Sequence, residues 1–193
     1  MCNLYRMEKA PDAILSLARE LGIQLSFPEG VPNFQPRDVR ISETAPIVRS
    51  SAGGNLELVQ RRWSWPAPNG KPVFNFRGEG RRFAPAERCV VLADGFYEFT
   101  APEDPKAKKK DRWLFTWPGH EWFGIAGICR TDAKVGEAYT LLTCPPGPDV
   151  APYHDRQIVL LTPEDCFRWL DPSVPAEALV KPPEPCSLAV ERA

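Results

Sequence analysis

The sequence lacks the features that mark several large classes of protein. No two of its six cysteines stand at C-x-x-C spacing, and its only histidines are His120 and His154, so the paired ligands of a zinc site are missing. No apolar run approaches the ~18 residues that a membrane-spanning helix needs. Residues 1–10 lack the apolar core of a signal peptide. We therefore expect a cytoplasmic protein with reduced cysteines and no membrane contact.

Internal repeats are also absent, and 193 residues can bury one sizeable core. We predict a single domain over residues 1–193 in the α+β class, with a curved mixed or antiparallel sheet and a few peripheral helices. Short runs rich in Val, Ile, Phe, Trp and Tyr predict strands at 38–42, 46–49, 56–60, 88–93, 96–99, 112–117, 122–129, 138–144 and 156–161. Residues 12–21, 163–170 and 173–180 are predicted helices, and 101–111 a polar loop.

The net charge of −1 gives no sign of nucleic-acid binding, but the charge is unevenly distributed. Residues 61–112 hold 12 Lys+Arg and 7 Asp+Glu, whereas residues 113–193 hold 6 and 11. Such a basic stripe suits contact with phosphates, and it equally suits a solvated face with a charged hairpin tip. The basic residues of the stripe are Arg61, Arg62, Lys71, Arg77, Arg81, Arg82, Arg88, Lys106, Lys108, Lys109, Lys110 and Arg112.

The first two residues, Met1-Cys2, carry an uncommon chemistry. Removal of Met1 would leave an α-amine of pKa about 7.7–8.0 and a thiol of pKa about 8.5 on one residue. A 1,2-aminothiol reacts with an aldehyde to form an imine, and its sulfur then closes a thiazolidine ring. An internal cysteine cannot do this. The alternative is a terminal cysteine without a role.

Three further segments hold polar side chains that suit a reaction centre. In Asn75-Phe76-Arg77, an extended chain places Asn75 and Arg77 on the same side; a turn-capping Asn75 is the alternative. In residues 93–99, Glu98 lies among aromatic residues, where a partly desolvated carboxylate would suit acid–base work unless it faces outward. His154 follows a loop rich in Pro and Gly, where catalytic groups are common, although a lone histidine is more often structural.

Taken in order, these segments resemble the motifs of the SOS response-associated peptidase (SRAP) family of abasic-site processing proteins. That family opens with Met-Cys and continues with Asn-x-Arg-x-Glu, Ala-Asp-Gly-[Phe/Trp]-[Tyr/Phe]-Glu-Trp and His-x-Arg before a hydrophobic strand. The similar segments here are Met1-Cys2, 75–79, 93–99 and 154–156, with 163–170 and 187–190 resembling the closing helix and strand. The resemblance spans nearly the whole chain.

The resemblance implies a barrel-like sheet with Cys2 in a cleft, and a monomer in the cytoplasm (nucleoid-associated in a bacterium). It implies that Cys2 captures abasic sites in single-stranded DNA as a thiazolidine crosslink, which shields the lesion, without metal or organic cofactor. Glu98 would shuttle protons, His154 would act on the departing ring oxygen, and Asn75 would orient the Cys2 backbone or the deoxyribose. The implied DNA contacts are phosphate contacts by Arg77, Arg81, Arg82 and Arg156, and base stacking by Trp63 or Trp65.

The sequence also departs from the family pattern. The opening is Cys2-Asn3-Leu4 instead of Cys-Gly-Arg, Gly80 replaces a threonine, and Phe99 replaces the tryptophan after Glu98. These differences affect the expected DNA contacts more than the chemistry. Two other classes of function stay open. One is a thiol (auto)peptidase with Cys2 as nucleophile and His154 as base, although self-removal of Met1 by an autopeptidase, and lyase-like action on abasic sites, are also what the resemblance implies. The other is a non-catalytic single-strand binder.

Overall fold

A computed structural model describes residues 2–9, 24–31, 35–51, 53–104 and 106–193 of the chain. The predicted helix 12–21 lies outside these residues. The strands are β1 (Leu4–Met7), β2 (Leu25–Ser26), β3 (Arg37–Arg40), β4 (Thr44–Ser50), β5 (Leu56–Trp63), β6 (Trp65–Pro66), β7 (Pro72–Val73), β8 (Asn75–Arg77), β9 (Arg88–Ala93), β10 (Gly95–Thr100), β11 (Asp111–Thr116), β12 (Phe123–Asp132), β13 (Gly136–Cys144), β14 (Gln157–Ile158), β15 (Leu160–Leu161) and β16 (Ala189–Arg192). The helix α1 is Pro163–Leu170.

Five strands close into a barrel in the order β5-β4-β9-β12-β13. The first four pairings are antiparallel, and the closing pairing of β13 with β5 is parallel, with Tyr139 opposite Trp63. All six residues of β9 are buried, because one face of this strand fills the barrel and the other is covered. The predicted α+β fold with a curved, barrel-like mixed sheet is therefore confirmed.

A second sheet lies beside the barrel, with strand order β16-β11-β10-β1-β3. The chain passes from the barrel into this sheet at Asp94, between β9 and β10. Strand β1 inserts between β10 and β3, with Tyr5 opposite both Phe96 and Val39. This insertion fixes the start of the chain against the middle of the sheet.

The helix α1 covers one side of the barrel, as predicted for residues 163–170. Thr162 Oγ1 accepts the N–H of Asp165 at 3.2 Å, and Pro163 occupies the first turn. Trp169 of this helix donates its indole N–H to the Cys89 carbonyl at 3.0 Å. The buried Arg88 donates to main-chain carbonyls at and beyond the C-terminal end of α1, including that of Trp169 at 3.3 Å.

The predicted third helix, 173–180, is wrong. This segment holds only a 3-10 turn at Ala176–Ala178. Pro172 and Pro175 fix the backbone φ and lack an N–H, so a longer helix cannot propagate through them. The nine predicted strands are confirmed within a few residues at their ends, and 156–161 divides into β14 and β15. No helix in the described ranges is both long and apolar enough to cross a membrane.

The packing of the barrel wall predicts the effect of a single methyl group. Gly127 lies in β12, and a Cβ there would approach the Thr140 carbonyl oxygen and Cys89 Sγ to 2.9 Å each. Because the carbonyl belongs to a paired strand, it cannot move away. We expect Gly127→Ala to lower the free energy of unfolding by about 1–3 kcal/mol in urea titrations. The matched control is Gly53→Ala, whose Cβ would meet nothing nearer than Ser51 Oγ at 3.8 Å; equal effects of both variants would contradict this reading.

Candidate functional site

The side chain of Cys2 is buried just before the inserted strand β1. Only 1% of the residue is exposed, and its thiol donates to the Leu4 carbonyl at 3.3 Å. Burial, followed by the nearby charge of Glu98, raises the pKa of the Cys2 thiol well above its ordinary value. The thiol is therefore protonated at neutral pH, and it needs a base before its sulfur can attack.

Asn75 fixes the main chain at Cys2. Strand β8 runs parallel to β13, with Asn75 opposite Leu141. From this position the Asn75 amide donates to the Cys2 carbonyl at 2.7 Å. The other amide atom, Oδ1, is buried, and within the described residues it has no hydrogen-bond donor. A buried acceptor of this kind is where a hydroxyl or amine of a ligand would gain a hydrogen bond.

Glu98 is a buried carboxylate on β10, so the outward-facing alternative is wrong. The residue is 1% exposed and lies opposite Trp113 of the neighbouring strand. Burial raises the pKa of Glu98 to about 7, and the nearby charge of Asp155 acts in the same direction. A carboxyl group with this pKa can both donate and accept a proton near neutral pH.

His154 lies in a turn whose geometry fixes its tautomer. The N–H of His154 donates to the Val150 carbonyl at 3.0 Å, and the ring Nδ1 accepts the N–H of Arg156 at 3.0 Å. Since Nδ1 accepts this N–H, we assign the proton of the neutral ring to Nε2. Burial lowers the pKa of His154, outweighing Asp155, whose carboxylate lies 2.8 Å from Nδ1 but is largely exposed. The ring is neutral at pH 7 and offers Nε2–H as a donor.

Arg156 links two of the segments identified in the sequence. Its guanidinium binds both carboxylate oxygens of Glu79, one at 2.7 Å, and donates to Thr143 Oγ1 at 3.0 Å. This pairing lowers the pKa of Glu79. The expected phosphate contact of Arg156 is replaced by a brace between the end of β8 and the turn that holds His154. Both residues were identified from the sequence, but their pairing was not.

The expected stacking role of Trp63 and Trp65 is wrong. Their exposed fractions are 0% and 1%, because both side chains belong to the core. Trp63 packs 5.2 Å from Tyr5, and its indole N–H donates to the Phe74 carbonyl at 2.9 Å. Trp65 is covered by the guanidinium of Arg130 at 4.0 Å. Neither ring presents a free face to a base.

The basic stripe divides into free and engaged side chains. Arg77, Arg81 and Arg82 are exposed, as a phosphate contact requires. Arg88 is buried and bonded to carbonyls, so it does not belong to a surface. Arg61 binds the carboxylates of Glu137 and Glu29. The accessible positive charge is therefore smaller than the sequence count suggests.

Asp94 is a residue whose role the sequence did not show beyond a turn. It is buried, and its Oδ1 accepts from Arg6 Nε at 2.6 Å. Its Oδ2 accepts the N–H groups of Glu8 and Lys9 at 2.6 and 2.8 Å. One carboxylate thus binds the chain where β1 ends. The Asp-Gly pair was the available signal, but it does not reveal the partner strand.

Comparisons with known proteins identify a family and several similar chains. The SOS response associated peptidase (SRAP) family matches residues 1–192. The abasic site processing protein YobE of Bacillus subtilis is 29% identical over 190 residues, covering 89% of this chain and 83% of YobE. The abasic site processing protein HMCES of Gallus gallus is 32% identical over 122 residues, covering 51% of this chain and 36% of HMCES. The chain thus spans about a third of the chicken protein.

Solved structures support the fold. A protein from Bacteroides thetaiotaomicron superposes with a TM-score of 0.74 at 20% identity, covering 99% of this chain and 91% of that one. A phage-related protein from Bordetella bronchiseptica gives 0.74 at 18% identity, with 100% and 94% covered. At these identities the likeness concerns the fold alone. The match over residues 1–192 shows that this chain belongs to the SOS response associated peptidase (SRAP) family.

Proposed function

We propose that this protein processes abasic sites in single-stranded DNA by forming a covalent thiazolidine through Cys2, which shields the lesion after DNA damage. The observation that carries the proposal is the meeting of three groups in one buried site. Asn75 holds the Cys2 carbonyl at 2.7 Å, and Glu98, with a pKa of about 7, is close enough to influence the Cys2 thiol. The family membership and the names of the relatives support the same substrate.

The reaction follows from the chemistry of the aminothiol. The Cys2 amine, free once Met1 is removed, adds to the aldehyde carbon C1′ of the opened deoxyribose. Loss of water gives an imine, and the sulfur then adds to the C=N carbon to close the ring. Glu98 protonates the departing hydroxyl and afterwards receives the thiol proton, so it ends as it began. The net reaction combines aldehyde and aminothiol into thiazolidine and water.

Asn75 and His154 supply the positioning. The free acceptor Asn75 Oδ1 receives a hydrogen bond from a sugar hydroxyl, while its amide keeps Cys2 in place. The Nε2–H of His154 donates to the ring oxygen of the closed sugar as C1′–O bond cleavage opens it. A single strand suits this buried site, because its lesion needs no unstacking from a duplex.

The peptidase alternative receives less support from the hydrogen bonds. The Cys2 thiol donates to the Leu4 carbonyl, and His154 Nδ1 accepts a main-chain N–H. A thiol–imidazole dyad requires a hydrogen bond between Cys2 Sγ and the imidazole ring, and these hydrogen bonds instead join each group to the main chain. Autocatalytic removal of Met1 stays compatible with the proposal, because it prepares the amine.

The first prediction from this proposal concerns Cys2. We expect the protein without Met1 to form an adduct with a labelled abasic oligonucleotide that survives a denaturing gel. Cys2→Ala should abolish it, because the aminothiol is lost. Cys186→Ser is the matched control, since it removes an exposed thiol elsewhere and should leave the yield unchanged. A tag retained before Cys2 should block the adduct without weakening DNA binding; a full yield of stable adduct from Cys2→Ala would refute the mechanism.

The second prediction concerns Glu98. Glu98→Gln keeps the shape but cannot transfer protons, so we expect crosslinking to slow by about 10²–10⁴-fold. The affinity for undamaged single strands should change little. Time courses on denaturing gels measure the rate, and fluorescence anisotropy measures the affinity. Rates within about threefold of wild type would make the carboxylate structural.

The raised pKa of Glu98 also predicts how the free energy of unfolding changes with pH. Because the folded pKa, about 7, exceeds the ordinary value of 4.5, the stabilising effect of the protonated form is fully present below pH 4.5 and is lost as the pH rises through 7. Wild type should therefore lose about 3 kcal/mol relative to Glu98→Gln between pH 4 and 8 in urea titrations. If the difference in the free energy of unfolding between wild type and Glu98→Gln did not change with pH, the pKa of Glu98 would not be raised by burial.

The third prediction concerns Arg77, which is exposed and follows Asn75 by two residues on β8. If it binds a phosphate beside the lesion, Arg77→Ala should weaken binding to undamaged single strands. It should also flatten the dependence of log K on log salt by about 0.7. Anisotropy titrations at several salt concentrations measure the slope, and Arg168→Ala on α1 provides the control. An unchanged slope would remove Arg77 from the phosphate contacts.

A further inference from the structure

A cavity lined by aromatic and basic side chains lies away from Cys2. It has a volume of about 360 Å³ and is lined by three aromatic rings and three arginines. These residues are Trp65, Phe76, Phe83, Arg81, Arg82 and Arg130. Two of the guanidinium groups lie on rings of this set: Arg130 is 4.0 Å from the Trp65 centroid and Arg81 is 4.7 Å from that of Phe76.

The position of Phe76 separates this cavity from the lesion site. Strand β8 is extended and pairs with β13, with Phe76 opposite Leu142. Side chains of consecutive strand residues point to opposite faces. Since Asn75 reaches Cys2 on one face, Phe76 lines the cavity on the other. A ligand there would not touch the groups of the proposed reaction.

The arginines over the rings offer guanidinium groups that suit an anion. A ring beneath a guanidinium holds its plane while the N–H groups stay free at the edge. In the described part of the chain, Arg81 and Arg130 form no ion pair, and Arg82 approaches Glu177 only at 4.0 Å with its side chain 97% exposed. Glu87 is the one carboxylate in the lining, and it accepts the Ala84 N–H at 2.9 Å. Three cations thus face one engaged anion.

We propose, building on the proposed function, that this cavity binds phosphates of the single strand at a second point, on the face of β8 opposite the lesion site. Arg81 and Arg130 bind the phosphodiester oxygens, and Arg82 adds charge at the rim. The rings hold the guanidinium planes, which reduces the conformational entropy lost on binding. A DNA strand held at both points would bend around the short protein strand β8.

The test uses undamaged labelled oligothymidylate and the double variant Arg81→Ala/Arg130→Ala. Loss of two phosphate contacts should flatten the salt dependence of log K by about 1.4 and weaken binding at 0.1 M salt by about tenfold. Arg168→Ala is the control for the loss of an exposed arginine. Arg130→Lys, which keeps the charge but not the stacked plane, should fall between wild type and the double variant. Urea midpoints of all variants establish that they are folded.

The outcomes separate this proposal from the reaction at Cys2. If the abasic adduct forms and the double variant binds oligothymidylate like wild type, the proposed phosphate contact in the cavity is wrong and the reaction at Cys2 stands. If the double variant weakens binding but wild type forms no adduct, the reaction is wrong and the second point stands. If thymidine 5′-monophosphate binds wild type but not the double variant, while both proteins bind oligothymidylate equally, the cavity takes free nucleotides and the proposal of a strand contact is overturned.

Discussion

The pairing of β1 with β10, secured by Asp94, is the interaction on which the candidate site depends. One buried carboxylate accepts two main-chain N–H groups and the Arg6 guanidinium, so residues 6–9 are fixed where the chain leaves the sheet. Strand β1 pairs antiparallel with β10, with Tyr5 opposite Phe96. Cys2 comes to lie near Glu98 only because this register is set. A slip by one residue would turn every side chain of β1 to the other face.

The burial that fixes Cys2 also creates the reactivity of its neighbour. A carboxylate removed from water costs free energy in its charged form, and this cost raises the pKa of Glu98 to about 7. Water around Glu98 would stabilise the carboxylate and return the pKa toward 4.5. The same burial keeps the Cys2 thiol protonated, so its sulfur needs a base, and the nearby Glu98 carboxylate is the proposed one.

Much of this architecture was readable from the sequence, and the failures have physical reasons. Strand positions and α1 follow from β-branched and aromatic runs and from Thr162-Pro163, which are local signals. Strands β1 and β8 are too short for such signals and exist because long-range partners pair with them. The orientation of Trp63 and Trp65 was not predictable, because in a covered barrel wall both faces are apolar and alternation no longer marks solvent. The brace between Arg156 and Glu79 joins residues 77 positions apart.

The chemical site and the charged surface are therefore built by different means. Cys2, Asn75 and Glu98 are brought together by main-chain pairing. Cys2 and Glu98 are shielded from water, so their electrostatics change little with salt. The exposed arginines around β8 act through the solvent, and their effect on a strand depends on ionic strength. A short edge strand with Asn75 on one face and Phe76 on the other links the two. This arrangement lets a chain with a net charge of −1 still present positive charge where a DNA strand would pass.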